Sequence, residues 1–141
     1  MSKLCFNAQI APAALGPYSH AVVSGDFVFL SGQLGLDPAT NALAPGGVEA
    51  ETRQSLSNIS AILAELGLSL SDVVKTTVFL RDLGDFARMN AVYAEFFPKD
   101  FPARSAVQAA ALPKNGAVEI EVIVSSGAAR VDAVAARRVS E

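Results

Sequence analysis

The segment FPARSAVQAAALPKNGAVEIEV, residues 101–122, shows which charged residues share a face of the sheet that this chain is predicted to form. Its two apolar runs flank a turn, so the pattern predicts two strands joined as a hairpin. Because side chains alternate between the faces of a strand, Arg104 and Ala106 share one face of the first strand. By the same rule, Glu119 and Glu121 share one face of the second. Since burying an unpaired charge costs about 3–5 kcal/mol, these charged groups must reach water, have partners or form a site.

Upstream of this segment, the hydrophobic pattern predicts four further strands and two helices. A short strand near residues 4–6 is followed by SHAVV and FVFLSG, two strands on either side of the turn SGD. Apolar residues at spacings of three and four predict a helix over Val48–Leu66, ended by Gly67. A second helix, DFARMNAVYAEFF, ends before Pro98. The segment DVVKTTVFLRDL between the helices is almost continuously apolar, as expected for a strand covered on both faces.

The resulting order, β-β-β-α-β-α-β-β, predicts a single α+β domain with one sheet and both helices on one face of it. The other sheet face is also apolar, and no segment remains to cover it. Of the 141 residues, 51% are hydrophobic and 18% are charged, which is an apolar composition for a chain exposed on all sides. Other subunits are therefore expected to cover the second face.

Composition and motifs argue against several classes of function. The net charge is −3 and the pI is near 5.1, so the basic face of a nucleic-acid-binding protein is not expected. Cys5 is the only cysteine and His20 the only histidine, so neither an internal disulfide nor a zinc site is expected. No membrane span, signal peptide or nucleotide-binding glycine motif is found, so we expect a cytosolic, cytoplasmic protein. Any catalysis must then use a carboxylate, an arginine, a hydroxyl or a backbone amide.

Arg104 and Glu119 are the main candidate functional residues. An arginine can hold a carboxylate through two parallel hydrogen bonds, and a glutamate can accept and return a proton. The competing interpretation is a structural ion pair between Arg104 and one of the glutamates, or a solvated sheet edge. From the spacing alone, the structural interpretation is the commoner one, because ion-pair networks are frequent in folded proteins.

Three other positions add to this candidate site. Asn90 lies inside the second helix, beside its buried stripe, although asparagine is a poor helix former. Tyr18 lies in a loop at the start of a strand, where its hydroxyl needs a partner. Gly32 in SGQ either lets a ligand approach backbone amides or marks a bend. The structural alternatives are a surface asparagine, a packed aromatic and a simple bend, and His20 is expected to pack or to face solvent.

Several segments together resemble the RidA (YjgF) family of reactive-intermediate deaminases: GPYSHAV, FLSGQLG, the long stretch from QSLSN to AEFF, FPARSAV and LPKNGAVEIEV. The resemblance runs from about Ala11 to Val124 with its spacings intact. It implies a RidA-like domain over residues 1–126 and a C-terminal extension over residues 127–141. The implied fold is chorismate-mutase-like, of the bacillar type: a six-stranded mixed sheet with two helices on one face. Three such sheets would form the inner barrel of a homotrimer, with sites in the clefts between subunits.

The resemblance also implies an activity. Members hydrolyse short-lived 2-imino and enamino acids, such as 2-aminoacrylate, which pyridoxal-phosphate enzymes release. The products are 2-keto acids, from 2-iminobutanoate or 2-iminopropanoate, and ammonia. No metal, cofactor, nucleic acid or membrane is implied in this reaction.

The roles of individual residues follow from the matching positions. Arg104 in PARS matches the arginine that clamps the substrate carboxylate, and Glu119 matches the residue that positions and activates the water. The substrate pocket would be lined by Tyr18, Ser31, Gly32, Phe86, Asn90 and Ala106. Ala106 replaces a cysteine found in many members, so a thiol role is excluded here, while its backbone amide remains available to a ligand.

Three alternative functions differ in what they need. A non-enzymatic trimer that binds small carboxylates, as a sensor or chaperone-like protein, would use Arg104 but not Glu119. A chorismate mutase handles a dicarboxylate and would favour a second cation, for which only Lys114 is available. A ribonuclease, an activity of some relatives, would need a basic face, which this acidic chain does not predict.

Overall fold

The computed structural model describes residues 3–125, which form six strands and two helices in the predicted order. The strands are β1 (Leu4–Phe6), β2 (Ala21–Ser24), β3 (Phe27–Leu34), β4 (Val73–Leu80), β5 (Ala103–Gln108) and β6 (Val118–Ser125). The helices are α1 (Gly47–Glu65) and α2 (Phe86–Phe96). Short 3₁₀ turns precede β4, α2 and β6 at Leu70–Asp72, Leu83–Asp85 and Pro113–Asn115. The extension expected over residues 127–141 lies outside the described residues.

The six strands form one mixed sheet in the order β1-β2-β3-β6-β4-β5. Strands β4 and β5 are parallel, and all other neighbours are antiparallel. The predicted hairpin over residues 101–122 is therefore wrong, since β4 lies between β5 and β6. Helix α2 connects β4 to β5 as a crossover, which makes these two strands parallel and leaves β5 at the edge of the sheet. The chain then passes the end of β4 to reach β6 on its other side.

The hydrophobic core lies between the two helices and one face of the sheet. Leu56, Ile59 and Leu63, at spacings of three and four on α1, are fully buried. Val78 of β4 and Ile120 of β6 are fully buried on the facing side of the sheet. Along β6, buried residues alternate with half-buried ones, so Glu119 and its neighbours on the second face point away from the helices.

The second face of the sheet carries no helix within residues 3–125, and it exposes several apolar side chains. Phe27 is 44% exposed, Phe29 45% and Val107 46%. Ile123 pairs with Phe29, and Phe79 pairs with Val107, so both extend the same apolar face. The prediction that β4 is covered on both faces thus holds for only one face within a single chain. An apolar face of this kind is typical of a protein–protein interface.

Gly35, directly after β3, allows this strand to pack closely on α1. A Cβ atom at this position would lie 2.5 Å from both the Cα atom and the carbonyl oxygen of Glu51. Since backbone atoms of a buried helix cannot move aside freely, Gly35→Ala should lower the free energy of unfolding by about 1–3 kcal/mol. Urea denaturation measures the change, with Gly84→Ala as control, because a Cβ there would meet only the side chain of Asp82. Equal stabilities of the two variants would show that α1 can shift without penalty.

Candidate active site

A pocket of about 500 Å³ lies where the end of β3 meets the start of β6. Four residues that the sequence singled out are among those that line it: Tyr18, Ser31, Gly32 and Glu119. Lys114 lines it too, and its ammonium donates to the carbonyl oxygen of Asn41 at 3.3 Å. We call this site the glutamate pocket.

A β-bulge shapes the wall of the glutamate pocket. The pairing of β3 with β6 shifts register between Leu30 and Gln33, so Ser31 and Gly32 lie in the bulge. The Ser31 hydroxyl donates to the carbonyl oxygen of Ser19 at 2.6 Å and ties the bulge to the loop before β2. Bulges are common next to active sites because they redirect side chains and interrupt regular pairing.

Gly32 makes room for the carboxyl group of Glu119. A Cβ atom at residue 32 would lie 3.0 Å from both Cδ and Oε1 of Glu119, closer than ordinary van der Waals contact. Any side chain here would therefore displace the carboxyl group. The sequence left open whether Gly32 admits a ligand or marks a bend; the glycine lies in a bulge and leaves space for the side chain of Glu119.

The Glu119 carboxyl group is half-buried, and burial raises its pKa above the ordinary value of 4.5. The charge of Glu121, two residues along the same face, raises the pKa further. A carboxyl group with a raised pKa takes up a proton more readily than an exposed glutamate does. This suits a group that accepts a proton from water and returns it later.

A second pocket, of about 440 Å³, lies beside the edge strand β5 and α2. Arg104 and Asn90 both line it, and we call it the arginine pocket. Nη1 of Arg104 donates to Oδ1 of Asn90 at 2.7 Å. Cζ of Arg104 lies 4.7 Å from the ring centroid of Tyr93 and 5.3 Å from that of Phe86. Phe86, Asn90 and Tyr93 recur at spacings of four and three and therefore lie on one side of α2. This placement explains the asparagine inside the helix, because its side chain binds Arg104.

Arg104 and Glu119 lie on opposite faces of the sheet. Arg104 pairs with Thr76 of β4, which is fully buried beneath the helices. Glu119 pairs with Phe79, three residues further along β4 and so on the other face. Neither pocket contains both residues. One chain therefore holds the two candidate residues in separate pockets.

The alternative of a structural ion pair between Arg104 and Glu119 or Glu121 is wrong, because no such pair is found within residues 3–125. The ion pairs found in residues 3–125 join Arg53 to Glu95, and Arg88 to Glu49 and Asp85. None of these pairs uses Arg104. Its charge is held against two aromatic rings and one amide oxygen, without a carboxylate from the described part of the chain.

Two predicted site residues, Phe86 and Ala106, are not among the residues that line the pockets. Phe86 contacts the Arg104 guanidinium through its ring. Ala106 follows Arg104 on the same face of β5, is half-buried and packs against the hydrophobic core. Neither lines either pocket in a single chain. Contact of these two residues with a ligand stays a prediction.

A buried polar stripe on α1, which the sequence analysis did not find, fixes the backbone around the glutamate pocket. Its members recur at spacings of four and three on one side of the helix, and each bonds a backbone group of a strand end. They are Glu51, which accepts from the Ala117 amide at 2.8 Å, Ser55, which donates to the Gln33 carbonyl at 2.7 Å, and Asn58, which donates to the Leu36 carbonyl at 2.8 Å. The sequence signal that could have revealed this stripe is the recurrence of polar residues at helical spacing.

His20 is a buried structural residue, as expected, and not a proton carrier in either pocket. Its Nδ1 accepts from the Ala8 amide at 2.9 Å, and its Nε2 lies 2.7 Å from the Pro12 carbonyl oxygen. These contacts assign the proton to Nε2 and occupy both ring nitrogens. The ring therefore holds the N-terminal loop that borders the glutamate pocket.

The structure gives no sign of a metal centre or a membrane span in its described part. Over residues 3–125, no group of histidine, cysteine and carboxylate side chains is arranged to hold a metal ion. Neither helix in this range is long and apolar enough to cross a bilayer.

The fold and pockets define a small α+β protein with a half-buried glutamate in one pocket and an arginine in the other. Residues 8–126 match the family model described as Endoribonuclease L-PSP, which is most of the chain. The chain belongs to this family.

Individual relatives confirm the resemblance to RidA. The chain is 53% identical over 117 residues to the 2-iminobutanoate/2-iminopropanoate deaminase of Bos taurus, covering 83% of this chain and 85% of the relative. It is similar to the crystal structure of RidA from the Antarctic bacterium Psychrobacter, with 51% identity, a TM-score of 0.80 and coverage of 83% of this chain and 94% of that one. It is also similar to E. coli TdcF with bound serine, with 44% identity, a TM-score of 0.82 and coverage of 87% and 98%.

Proposed function

We propose that this protein is a deaminase that hydrolyses 2-imino acids, such as 2-iminobutanoate and 2-iminopropanoate, to 2-keto acids and ammonia. The observation that carries the proposal is the pair of half-sites: an arginine without a carboxylate partner in the described chain, and a half-buried glutamate with a raised pKa. The relative from Bos taurus bears the name of this activity. TdcF was crystallised with serine, a small carboxylate-bearing molecule, which supports the role given to Arg104.

The two groups suffice for the chemistry of imine hydrolysis. Arg104 binds the substrate carboxylate through paired hydrogen bonds and so fixes the imine carbon. Glu119 takes a proton from water as the water oxygen bonds to that carbon of the protonated imine, giving a neutral carbinolamine. The protonated Glu119 then gives its proton to the amine nitrogen. The carbon–nitrogen bond breaks, the hydroxyl oxygen loses its proton to Glu119, which passes it to solvent, and a keto acid and ammonia leave.

General acid–base catalysis of this kind contributes about 10²- to 10⁴-fold. That contribution is adequate here because the carbon of a protonated imine is already electrophilic. An enamine such as 2-aminoacrylate enters the same route once its terminal carbon has taken up a proton and the imine has formed.

A complete site requires two chains, and we place it in a homotrimer. The apolar second face of the sheet, with Phe27, Phe29 and Val107 exposed, would be covered by neighbouring subunits. Glu119 lies on that face, and Arg104 lies near the sheet edge. A ring of subunits related head to tail would bring the glutamate pocket of one chain to the arginine pocket of the next.

The ribonuclease activity in the family description is less well supported. RNA binding depends on neutralising phosphates with lysine and arginine, and this chain has a net charge of −3. The glutamate pocket offers Lys114 as a cation, but its ammonium is bonded to the neighbouring loop. Arg104 has no carboxylate partner within residues 3–125, and it suits a small carboxylate substrate better than a polyanion.

Mixing two inactive variants tests both the reaction and the shared site. An imine is generated in place by a dehydratase acting on serine, and release of the keto acid is followed. Arg104→Ala and Glu119→Gln should each lose the accelerated hydrolysis. When the two are unfolded and refolded together in equal amounts, about a quarter of the wild-type rate should return, because each site draws its two groups from different chains.

Light scattering, which measures the oligomeric state of the refolded mixture, is the control for this experiment. A mixed oligomer that shows no recovery would place the whole site within one chain, and a stable monomer would exclude the shared cleft. Wild-type protein without any acceleration of keto-acid release would overturn the proposed reaction.

A further inference from the structure

The way in which Arg104 is held leaves its charge available to a ligand. An arginine bound to a structural carboxylate would have its charge compensated and its hydrogen-bonding edge occupied. Aromatic faces attract the guanidinium through the ring quadrupole and leave the N–H groups in its plane unused. Of the five N–H donors of an arginine, one is bonded to Asn90 in this structure.

Tyr93 is the closer of the two rings and the more firmly fixed. Its centroid lies 4.7 Å from Cζ of Arg104, compared with 5.3 Å for Phe86. Tyr93 is 5% exposed, and its hydroxyl lies 2.8 Å from Oγ1 of Thr76, which is fully buried. Thr76 is also the residue opposite Arg104 in the pairing of β4 with β5. A single pair of strand positions therefore supplies both the arginine and the anchor of the ring beneath it.

Tyr93 acts here as a neutral ring. Burial raises the pKa of its phenol above the ordinary value of 10, which outweighs the opposing effects of the bond to Thr76 and the charge of Arg104. A neutral ring offers its face to the cation but does not cancel the cation's charge. The phenol hydroxyl is directed to Thr76 and not to the guanidinium.

We propose that Tyr93, anchored by Thr76, is the positioning residue that orients the guanidinium of Arg104 toward a carboxylate ligand. This inference rests on the proposed function only in that the ligand is a 2-imino or 2-keto acid. It assigns Tyr93 no contact with the reacting atoms.

The test uses pyruvate, a 2-keto acid of the product class, and measures its Kd by calorimetry alongside KM and kcat for imine hydrolysis. Tyr93→Leu should raise both Kd and KM roughly tenfold, the scale of a desolvated cation–π contact, with kcat within about twofold of wild type. Tyr93→Phe keeps the ring and should recover most of the affinity. Thr76→Val removes only the anchor and should give a smaller rise in Kd, and it replaces Tyr93→Leu if that variant does not fold.

Met89→Ala is the matched control, because Met89 is fully buried on the same helix and lines neither pocket. It should lower stability without changing Kd. A similar rise in Kd in Met89→Ala and Tyr93→Leu would overturn the proposal, since both would then act through general destabilisation. An unchanged Kd in Tyr93→Leu, or no pyruvate binding by wild type, would also overturn it. If pyruvate binding responds to Tyr93→Leu but wild type hydrolyses no imine, the inference stands and the proposed reaction fails.

Discussion

Glu119→Gln should lower the kcat of imine hydrolysis by about 10²-fold or more, the effect expected for loss of a general base. Glutamine has the shape of glutamate and fits the space left by Gly32. In the wild type, Oε1 of Glu119 lies 3.0 Å from where a Cβ atom of residue 32 would be. It cannot take a proton from water. The assembly and the binding of pyruvate should therefore be retained, and release of keto acid from an imine formed in place measures the loss.

Glu121→Gln is the matched control for this prediction. Glu121 points to the same face of β6 one pleat further along, about 6–7 Å away at the rise of a strand. It is too distant to share the same water, so its replacement should have a much smaller effect on kcat. If Glu121→Gln removed the activity and Glu119→Gln did not, the roles assigned along β6 would be wrong. Normal turnover by Glu119→Gln would instead show that Glu119 is not the general base.

Because the pKa of Glu119 is raised, the activity should depend on pH. As general base, Glu119 must be ionised, so activity should fall as the pH drops through a value above the ordinary 4.5. Because the charge of Glu121 contributes to the raised pKa, Glu121→Gln should move this acid limb to lower pH. A pH–rate profile of kcat/KM for wild type and Glu121→Gln measures the shift.

The raised pKa of Glu119 also makes the free energy of unfolding depend on pH in a definite direction. A carboxyl group whose pKa is higher in the folded than in the unfolded state favours folding only while it is protonated. That stabilisation is present below the unfolded pKa and is lost as the pH rises through the folded one. Glu119→Gln should therefore have a higher free energy of unfolding than wild type at neutral pH, and the difference should vanish at low pH.

Local patterns in the sequence were sufficient for much of the fold. The apolar stripe of α1 and the alternation along β6 each depend on one period of one element, and both are confirmed. The hairpin over residues 101–122 failed because strand order is not a local property. Nothing in those residues shows that β4 lies between the two strands, since the crossover through α2 decides it.

The candidate site was predictable in its residues but not in its arrangement. Asn90 was noticeable because it is a poor helix former, and the structure gives it an arginine partner. Tyr93 was not noticeable, because an apolar period cannot separate a core aromatic from one that supports a cation. The contact between Gly32 and Glu119 depends on a bulge and on the pairing of distant strands. Such contacts depend on the three-dimensional register and leave no local signal.

Arg104→Lys should remove most of the activity although it keeps the positive charge. A lysine ammonium is a point charge that cannot bind a carboxylate through two parallel hydrogen bonds or stack on the rings of Tyr93 and Phe86. Loss of a charged hydrogen bond worth about 1.5–3 kcal/mol should raise KM roughly 10- to 100-fold.

Arg53→Lys is the control for this substitution. Arg53 also makes two parallel bonds, to Glu95, but it does so on the exposed surface between the helices, where lysine should leave KM unchanged. Steady-state kinetics on the imine, with pyruvate affinity measured in parallel, separates lost binding from lost chemistry. An unchanged KM in Arg104→Lys would mean that Arg104 serves the packing of α2 on β5 alone. Because no carboxylate within residues 3–125 pairs with Arg104, we expect its partner to be the substrate.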